Sequence, residues 1–325
     1  MIRIAYNEIV EVLSSILENR GFTSSRARMS AELFTDANRD GVYSHGLDRF
    51  GRFLRYLSAG LVIPDAEPER VWSGGALERW DGHSGPGSLN AHAAMARACE
   101  LAEANGIGCV ALANTNHWMR GGAYGWQAAD AGYLGICWTN TMPNLPPWGS
   151  DKPLIGNNPL IIAVPRPDGH VVLDMAMSQF SYGALSRYAK EGRELPVPGG
   201  YDKNDRLTTD AAAVESTGRP LPIGFWKGSG LSILLDLLAA LLSGGRAVCD
   251  MPADPDKETG VSQVFIAFSP PDHPGLTDRV VASLEAEGKA RYPGKGALAH
   301  REESRIHGVA VDEEVWKDIK ALLKD

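Results

Sequence analysis

Residues 107–113 read I-G-C-V-A-L-A, and three short apolar runs follow: L-G-I-C-W-T-N (134–140), P-L-I-I-A-V-P (159–165) and V-V-L-D-M (171–175). Unbroken apolar runs of this length are what strands buried on both faces look like. A helical stretch at about 89–105 precedes the first run. A further strand, V-S-Q-V-F-I-A-F-S (261–269), follows the apolar segment 229–243, S-G-L-S-I-L-L-D-L-L-A-A-L-L-S. Strands interleaved with helices predict an α/β fold. Segment 229–243 contains Asp236 and is short for a bilayer, so it reads as a buried core helix and no membrane partner is expected.

Towards the N-terminus, Ile9, Val10, Leu13, Ile16 and Leu17 recur at helical spacing. Thr23 or Ser24 caps a second helix expected to run to Gly41, and a third, over about 45–58, gathers Phe50, Phe53, Leu54 and Leu57 on one side. Over 61–87 proline and glycine become frequent and the periodicity dissolves, which places a domain boundary near residue 75. The span E-L-P-V-P-G-G-Y-D-K-N-D-R (194–206) reads as an exposed loop, and helices at about 275–288 and 312–324 close the chain.

The chain has 325 residues, with 32 Lys and Arg against 40 Asp and Glu, a formal net charge of -8. That length favours about two domains, and the acidic balance argues against a nucleic-acid partner. Cys99, Cys109, Cys137 and Cys249 form no C-x-x-C pair and have no histidine cluster beside them, so they read as reduced thiols. His83, His92, His170, His273, His300 and His307 show no ligand spacing, and no metal is expected. Glu8 interrupts any secretory apolar core, which points to a cytoplasmic protein. There is no G-x-G-x-x-G after a strand, no G-x-x-x-x-G-K-[ST], no Tyr four residues before a Lys, no H-E-x-x-H and no G-x-S-x-G. Those absences argue against Rossmann, P-loop, short-chain reductase, zincin and α/β-hydrolase sites.

Residues 41–50, G-V-Y-S-H-G-L-D-R-F, set His45 four residues before Arg49. On a helix such a pair shares one face. A guanidinium grips a carboxylate with two parallel hydrogen bonds, and an imidazole can protonate a neighbouring oxygen, which together suit reduction of a 2-oxo acid. The bland alternative is a histidine ending a loop and an arginine on a solvated face. His117 precedes Trp118, Met119, Arg120 and a Gly-Gly expected to open a helix, whose N-terminus favours anions. Lys227 precedes G-S-G and is placed for a phosphate, Trp226 for a cofactor ring, and Asp174 for a protonated histidine, a ribose hydroxyl or a helix cap. Surface, packing and capping roles remain open for these.

Seven segments occur in one order: G-V-Y-S-H-G-L-D-R (41–49), N-H-W-M-R-G-G-A-Y-G-W-Q-A (116–128), W-T-N (138–140), P-W-G (147–149), G-N-N-P (156–159), D-M-A-M-S (174–178) and F-W-K-G-S-G (225–230). Together they resemble the type-2 malate/L-lactate dehydrogenase family over nearly the whole chain, and within it the branch that reduces 2,3-diketo-L-gulonate. The resemblance implies a non-Rossmann nicotinamide-binding α/β domain over 76–274, a helical domain over 1–75 completed by 275–325, and a homodimer. It implies His45 as the acid/base, with Ser44, Arg49 and His117 lining the substrate pocket. Cofactor contacts are implied at His170, Val171, Val172, Leu173, Asp174, Met175 and Ala176, at Trp226 and Lys227, and at Gly294, Lys295 and Gly296. The coenzyme expected is NAD, with NADH preferred over NADPH. The substrate expected is a 2-oxo acid, 2,3-diketo-L-gulonate or a related sugar acid, with malate or L-lactate, ureidoglycolate, sulfolactate and cyclic imino acids as alternatives. The chain departs from the reductase pattern at Asp48, Asn157, Lys295 and Gly296. A non-catalytic binding protein and a hydrolase using His45 are the rival classes; His45, Arg49 and Lys227 argue against the first and the missing nucleophile motif against the second.

Overall fold

The N-terminal periodicity folds as expected in a computed structural model that describes residues 1–271 and 275–324; His273 lies outside the described residues. After strand β1 (Ile2–Ile4) come α1 (Tyr6–Glu18), α2 (Ser24–Arg39) and α3 (Leu47–Ser58). Phe22, Phe34, Phe50 and Phe53 interlock in their core, which also takes in Val309, Val311, Trp316 and Ile319 from the far end of the chain. β1 pairs antiparallel with β11 (Val309–Val311). This pairing holds the two chain ends in one helical layer.

The middle of the chain runs β2 (Glu69–Gly74), β3 (Leu77–Asp81), α4 (Gly87–Asn105), β4 (Ile107–Asn116), α5 (Gly122–Asp130), β5 (Leu134–Thr139), β6 (Leu160–Val164) and β7 (Val171–Met175). α6 (Tyr182–Glu191), β8 (Gly200–Tyr201), β9 (Leu207–Thr208), α7 (Ala211–Thr217), α8 (Trp226–Ser243) and β10 (Thr259–Phe268) follow. α9 (Leu276–Ala286), α10 (Lys295–His307) and α11 (Glu313–Ala321) complete the order around β11. Seven strands form one sheet in the order β2-β3-β4-β10-β5-β6-β7. Only β3–β4 is parallel; the other five neighbouring pairs are antiparallel. A Rossmann sheet is parallel, so the missing glycine fingerprint reflects a different architecture.

Successive residues of β4 and β10 point to opposite faces of the sheet. Val110, Leu112 and Phe265 pack under α4 and α5, while Ala111 and Val264 pack under α8 with Leu235 and Ala239. Both faces are therefore covered, which explains why 107–113 of β4 and 264–268 of β10 carry no polar residue.

Three expectations are corrected. Residues 61–87 contain the β2–β3 hairpin, an exposed edge whose weak alternation hides it. Segment 229–243 is not a buried core helix: α8 buries Leu235 and Ala239 but exposes Leu234, Leu237, Leu238 and Leu241, the last 72% accessible. By length and composition α8 could cross a membrane, yet Asp236 accepts from Asn140 Nδ2 at 2.9 Å and fastens it to the sheet. The glycine-rich turn at 294–296 is also shorter than expected, because Lys295 and Gly296 already open α10.

Candidate active site

His45 and Arg49 do not share a continuous helix. Tyr43–His45 is a single 3-10 turn, and Gly46 turns away at φ -102°, ψ -129° before Leu47 opens α3. Asn38 of α2 sets the break: its Oδ1 accepts from Leu47 N at 2.7 Å. A Cβ on Gly46 would fall 2.0 Å from that oxygen, so only glycine admits the cap.

The break turns the His45 ring onto His117, with centroids 5.8 Å apart and planes at 21°. Ser44 Oγ lies 3.0 Å from His45 Nδ1. Met119 N donates to His117 Nδ1 at 3.0 Å, so His117 carries its proton on Nε2 and presents a donor. Met119 reaches that position at φ 63°, a conformation a side chain adopts only where surrounding structure enforces it.

Arg49 lies one turn into α3, and its Nη2 is 3.3 Å from Oε2 of buried Glu258, just before β10. Arg49, Arg52, Tyr56, Asn116, His117 and Met119 line a cavity of about 10 Å³ beside the histidine pair. Burial pushes His45 down to about 4; Asp174 pulls it up, while Arg49 and Arg120 push it further down. Burial drives His117 well below the usual histidine value, and Arg49, His45 and Arg52 act in the same direction. Both rings are neutral at pH 7 in the free protein.

Asp174, at the end of edge strand β7, accepts from Gly122 N at 2.9 Å with Oδ2, so it caps the start of α5 as well as facing His45. Its Oδ2 is 3.9 Å from Arg120 Nε, a buried nitrogen with no hydrogen-bond partner. Arg120 pairs through Nη1 with Asp40, which Arg301 grips with two further bonds at 2.8 and 2.7 Å. Burial alone would raise the Asp40 carboxyl, but Arg301, Arg120 and Arg39 hold it far below the usual carboxylate range. This network ties α2, α5 and α10 behind the histidines.

Of residues 170–176, Val171–Met175 form β7 and His170 and Ala176 flank it, with β6 on one side and the Pro293–Gly294 turn on the other, where Val172 N donates to Pro293 O at 3.2 Å. Gly294 has φ 94°, and a Cβ there would meet Val172 N at 3.0 Å and His170 O at 3.1 Å. The His170 imidazole is engaged at both nitrogens, by Arg166 N at 2.9 Å and Asp130 at 2.8 Å. Lys295 Nζ pairs with Glu285 at 2.7 Å, so neither side chain is free. Trp226 is 65% exposed at the start of α8, with Lys227 Nζ 5.9 Å from its ring centroid. Among the described residues no carboxylate lies within ion-pair distance of Lys227. Ile223 N donates to Met177 O at 2.7 Å, which brings the approach to α8 alongside the end of the β7 segment.

Sequence reasoning missed Glu258, Asp40, Arg120 and Arg301. Arg120 stood inside the quoted 116–128 segment, and its place two residues before a helix start was a signal. Glu258 and Arg301 carry none, being 209 and 261 residues from the partners that give them meaning.

Two stacked histidines, a cavity lined by Arg49 and Arg52, and the last strand of the sheet, β7, come together at this place. The family model for malate/L-lactate dehydrogenase matches residues 4–320, and the chain belongs to that family. It is a nicotinamide-dependent dehydrogenase of the 2-hydroxyacid class. A 2,3-diketo-L-gulonate reductase of Citrobacter koseri is 45% identical over 98% of this chain and 100% of its own. The crystal structure of delta1-piperideine-2-carboxylate reductase from Pseudomonas syringae superposes with a TM-score of 0.89 at 28% identity, covering 99% of this chain and 100% of that one. Sulfolactate dehydrogenase from Methanocaldococcus jannaschii gives 0.88 at 27%, covering 100% and 97%.

Proposed function

We propose that the protein reduces a 2-oxo acid, with His45 protonating the C2 oxygen and Arg49 facing the carboxylate. The observation that carries this reading is the His45–His117 stack set between Asp174 and the Arg49 side of the cavity. Reduced nicotinamide, when bound, supplies hydride to the ketone carbon. The chain supplies orientation, charge and the proton.

In the free protein His45 is neutral, which suits a base in alcohol oxidation. A substrate carboxylate beside Arg49 offsets one of the charges that depress it, and Asp174 then favours the protonated ring. Anion binding thus recruits the proton that reduction consumes. Ser44 fixes Nδ1, leaving Nε2 to deliver it. His117 donates from Nε2 to the substrate.

The coenzyme fits the β7 edge: the Gly294 cradle, the backbone from His170 through Val171, Val172, Leu173, Asp174 and Met175 to Ala176, and Trp226 with Lys227 supply backbone groups, a ring and a free cation. His170, Lys295 and Gly296 serve through backbone alone in this reading. Of the cations beside the turn, Arg166 and Lys295 are matched by Asp278 and Glu285, while Arg291 pairs with no carboxylate among the described residues; NADH is the coenzyme we propose, and the parallel assay with NADPH decides it.

The substrate we propose is 2,3-diketo-L-gulonate or a related sugar acid, on the strength of the 45%-identical relative. The apolar face of α8 supports a homodimer, and four free cysteines suit a reducing cytoplasm. The division into 1–75 with 275–325, and 76–274, belongs to the same reading, with β2 (Glu69–Gly74) crossing over to join the sheet of the second part. The test follows reduced-nicotinamide absorbance with NADH and NADPH against diketogulonate, pyruvate, oxaloacetate, sulfopyruvate and piperideine-2-carboxylate. Oxidation of NADH chiefly with diketogulonate is expected, and turnover of the cyclic imine alone would overturn the substrate assignment.

A further inference from the structure

Arg49 was expected to be the carboxylate anchor, but its charge is already matched. Glu258, buried, faces it at 3.3 Å. Three residues on, Arg52 projects from the same face of α3 into the same cavity. Its neighbours divide cleanly: Arg49 pairs with Glu258 and Arg55 approaches Asp256, whereas Arg52 pairs with no carboxylate among the described residues. The cavity therefore carries one uncompensated positive charge, since two guanidiniums face one carboxylate and both histidines are neutral at pH 7.

A second observation points to a ligand at the same place. Asn116 lines this cavity and is 2% exposed. Its Nδ2 is spent on Leu61 O, Ser84 O and Gly85 O, while its Oδ1 has no partner. A buried acceptor without a donor costs about 1–3 kcal/mol unless something supplies one. Arg52, which can take an anion, and Asn116, whose Oδ1 can accept from a donor, thus line one cavity.

We propose that Arg52, rather than Arg49 alone, holds the charge of the substrate carboxylate, with Arg49 and Glu258 forming a neutral pair that orients it and Asn116 Oδ1 accepting from a substrate hydroxyl. This rests on the 2-oxo acid reading. It places the substrate carboxylate and a neighbouring hydroxyl-bearing carbon at the Arg52 side of the site, the cavity of about 10 Å³ itself having room for only a water-sized group, and makes affinity follow the net charge there rather than the presence of Arg49.

The experiment titrates oxamate into the NADH-saturated protein by calorimetry, so that it reads binding and not turnover. Arg52→Gln is expected to weaken oxamate by about 10- to 100-fold, the range for losing a hydrogen bond to a charged group. Arg52→Lys, which keeps the charge without the fork, is expected to fall between. Arg52→Gln combined with Glu258→Gln restores the net charge and should recover most of the loss. Unchanged affinity in Arg52→Gln, or a double variant no better than the single one, overturns the assignment. Absence of oxamate binding in the unaltered protein overturns it too, while the turnover panel decides the 2-oxo acid reading independently. For Asn116, Asn116→Ala, which removes the acceptor, should lower the kcat/KM ratio of a polyhydroxylated 2-oxo acid to pyruvate; an unchanged ratio removes Asn116 from the subsite.

Discussion

His45 is held near 4 in the folded chain and returns to about 6.5 when unfolding exposes it. The unfolded state then binds more protons than the folded one throughout that interval. Stability contributed by keeping the ring neutral is present above about 6.5 and is lost as pH falls towards 4. Between pH 7 and pH 5 the linkage relation gives a loss of about 2 kcal/mol from this one ring. Because His45 keeps part of its surface exposed, solvent screening brings the expected figure nearer 1 kcal/mol. His45→Gln removes the titration and should flatten the stability curve by that amount, leaving the slope due to His117. Urea melts of both proteins at pH 7, 6 and 5 make the comparison, with m-values checked for constancy. Parallel curves would show that His45 is not depressed, and the argument that substrate anion recruits its proton would fall.

Three further outcomes follow from neighbouring geometry. Asp40→Asn leaves Arg120 buried against an uncharged partner and should cost about 3–5 kcal/mol in urea melts; a cost under about 1 kcal/mol would show the network to be ornamental. Gly294→Ala places a Cβ 3.0 Å from Val172 N at a φ of 94°, so NADH affinity measured by fluorescence should fall on the order of tenfold, about 1.4 kcal/mol, with oxamate affinity at saturating NADH retained. Equal NADH affinity would move the coenzyme away from this turn. Leu241→Glu, on the exposed face of α8, should shift sedimentation from dimer to monomer, and a monomeric unaltered protein would refute the interface outright.

The sheet was legible where both of its faces are covered. β4, β5 and β10 carry long apolar runs because α4 and α5 lie on one side and α8 on the other. The β2–β3 hairpin was not, since β2 is exposed along its whole length and nothing selects for apolar residues there. His45, Arg49 and His117 were legible as chemistry in short segments, yet their arrangement was misread. The helix spacing rule assumed α3 began at His45, whereas Asn38 caps it at Leu47 through the Gly46 gap. A cap supplied from nine residues upstream has no periodic trace.

What sequence spacing hides most completely is charge compensation. Arg49, in the S-H-G segment, looks like the anchor, and Arg52 looks like one more basic residue on an amphipathic helix. In the proposal made above Arg52 shares that role, because the chain folds Glu258 against Arg49 and not against Arg52. The same logic governs the histidines: burial empties them of protons, Arg49 and Arg120 deepen the effect, and Asp174 holds the opposing charge in reserve. In the proposed mechanism an arriving carboxylate tips that balance, which links binding and proton supply through one electrostatic centre. Substrates without an anionic group at this position would leave His45 unprotonated, and discrimination against neutral carbonyl compounds follows from the resting charge of the pocket itself.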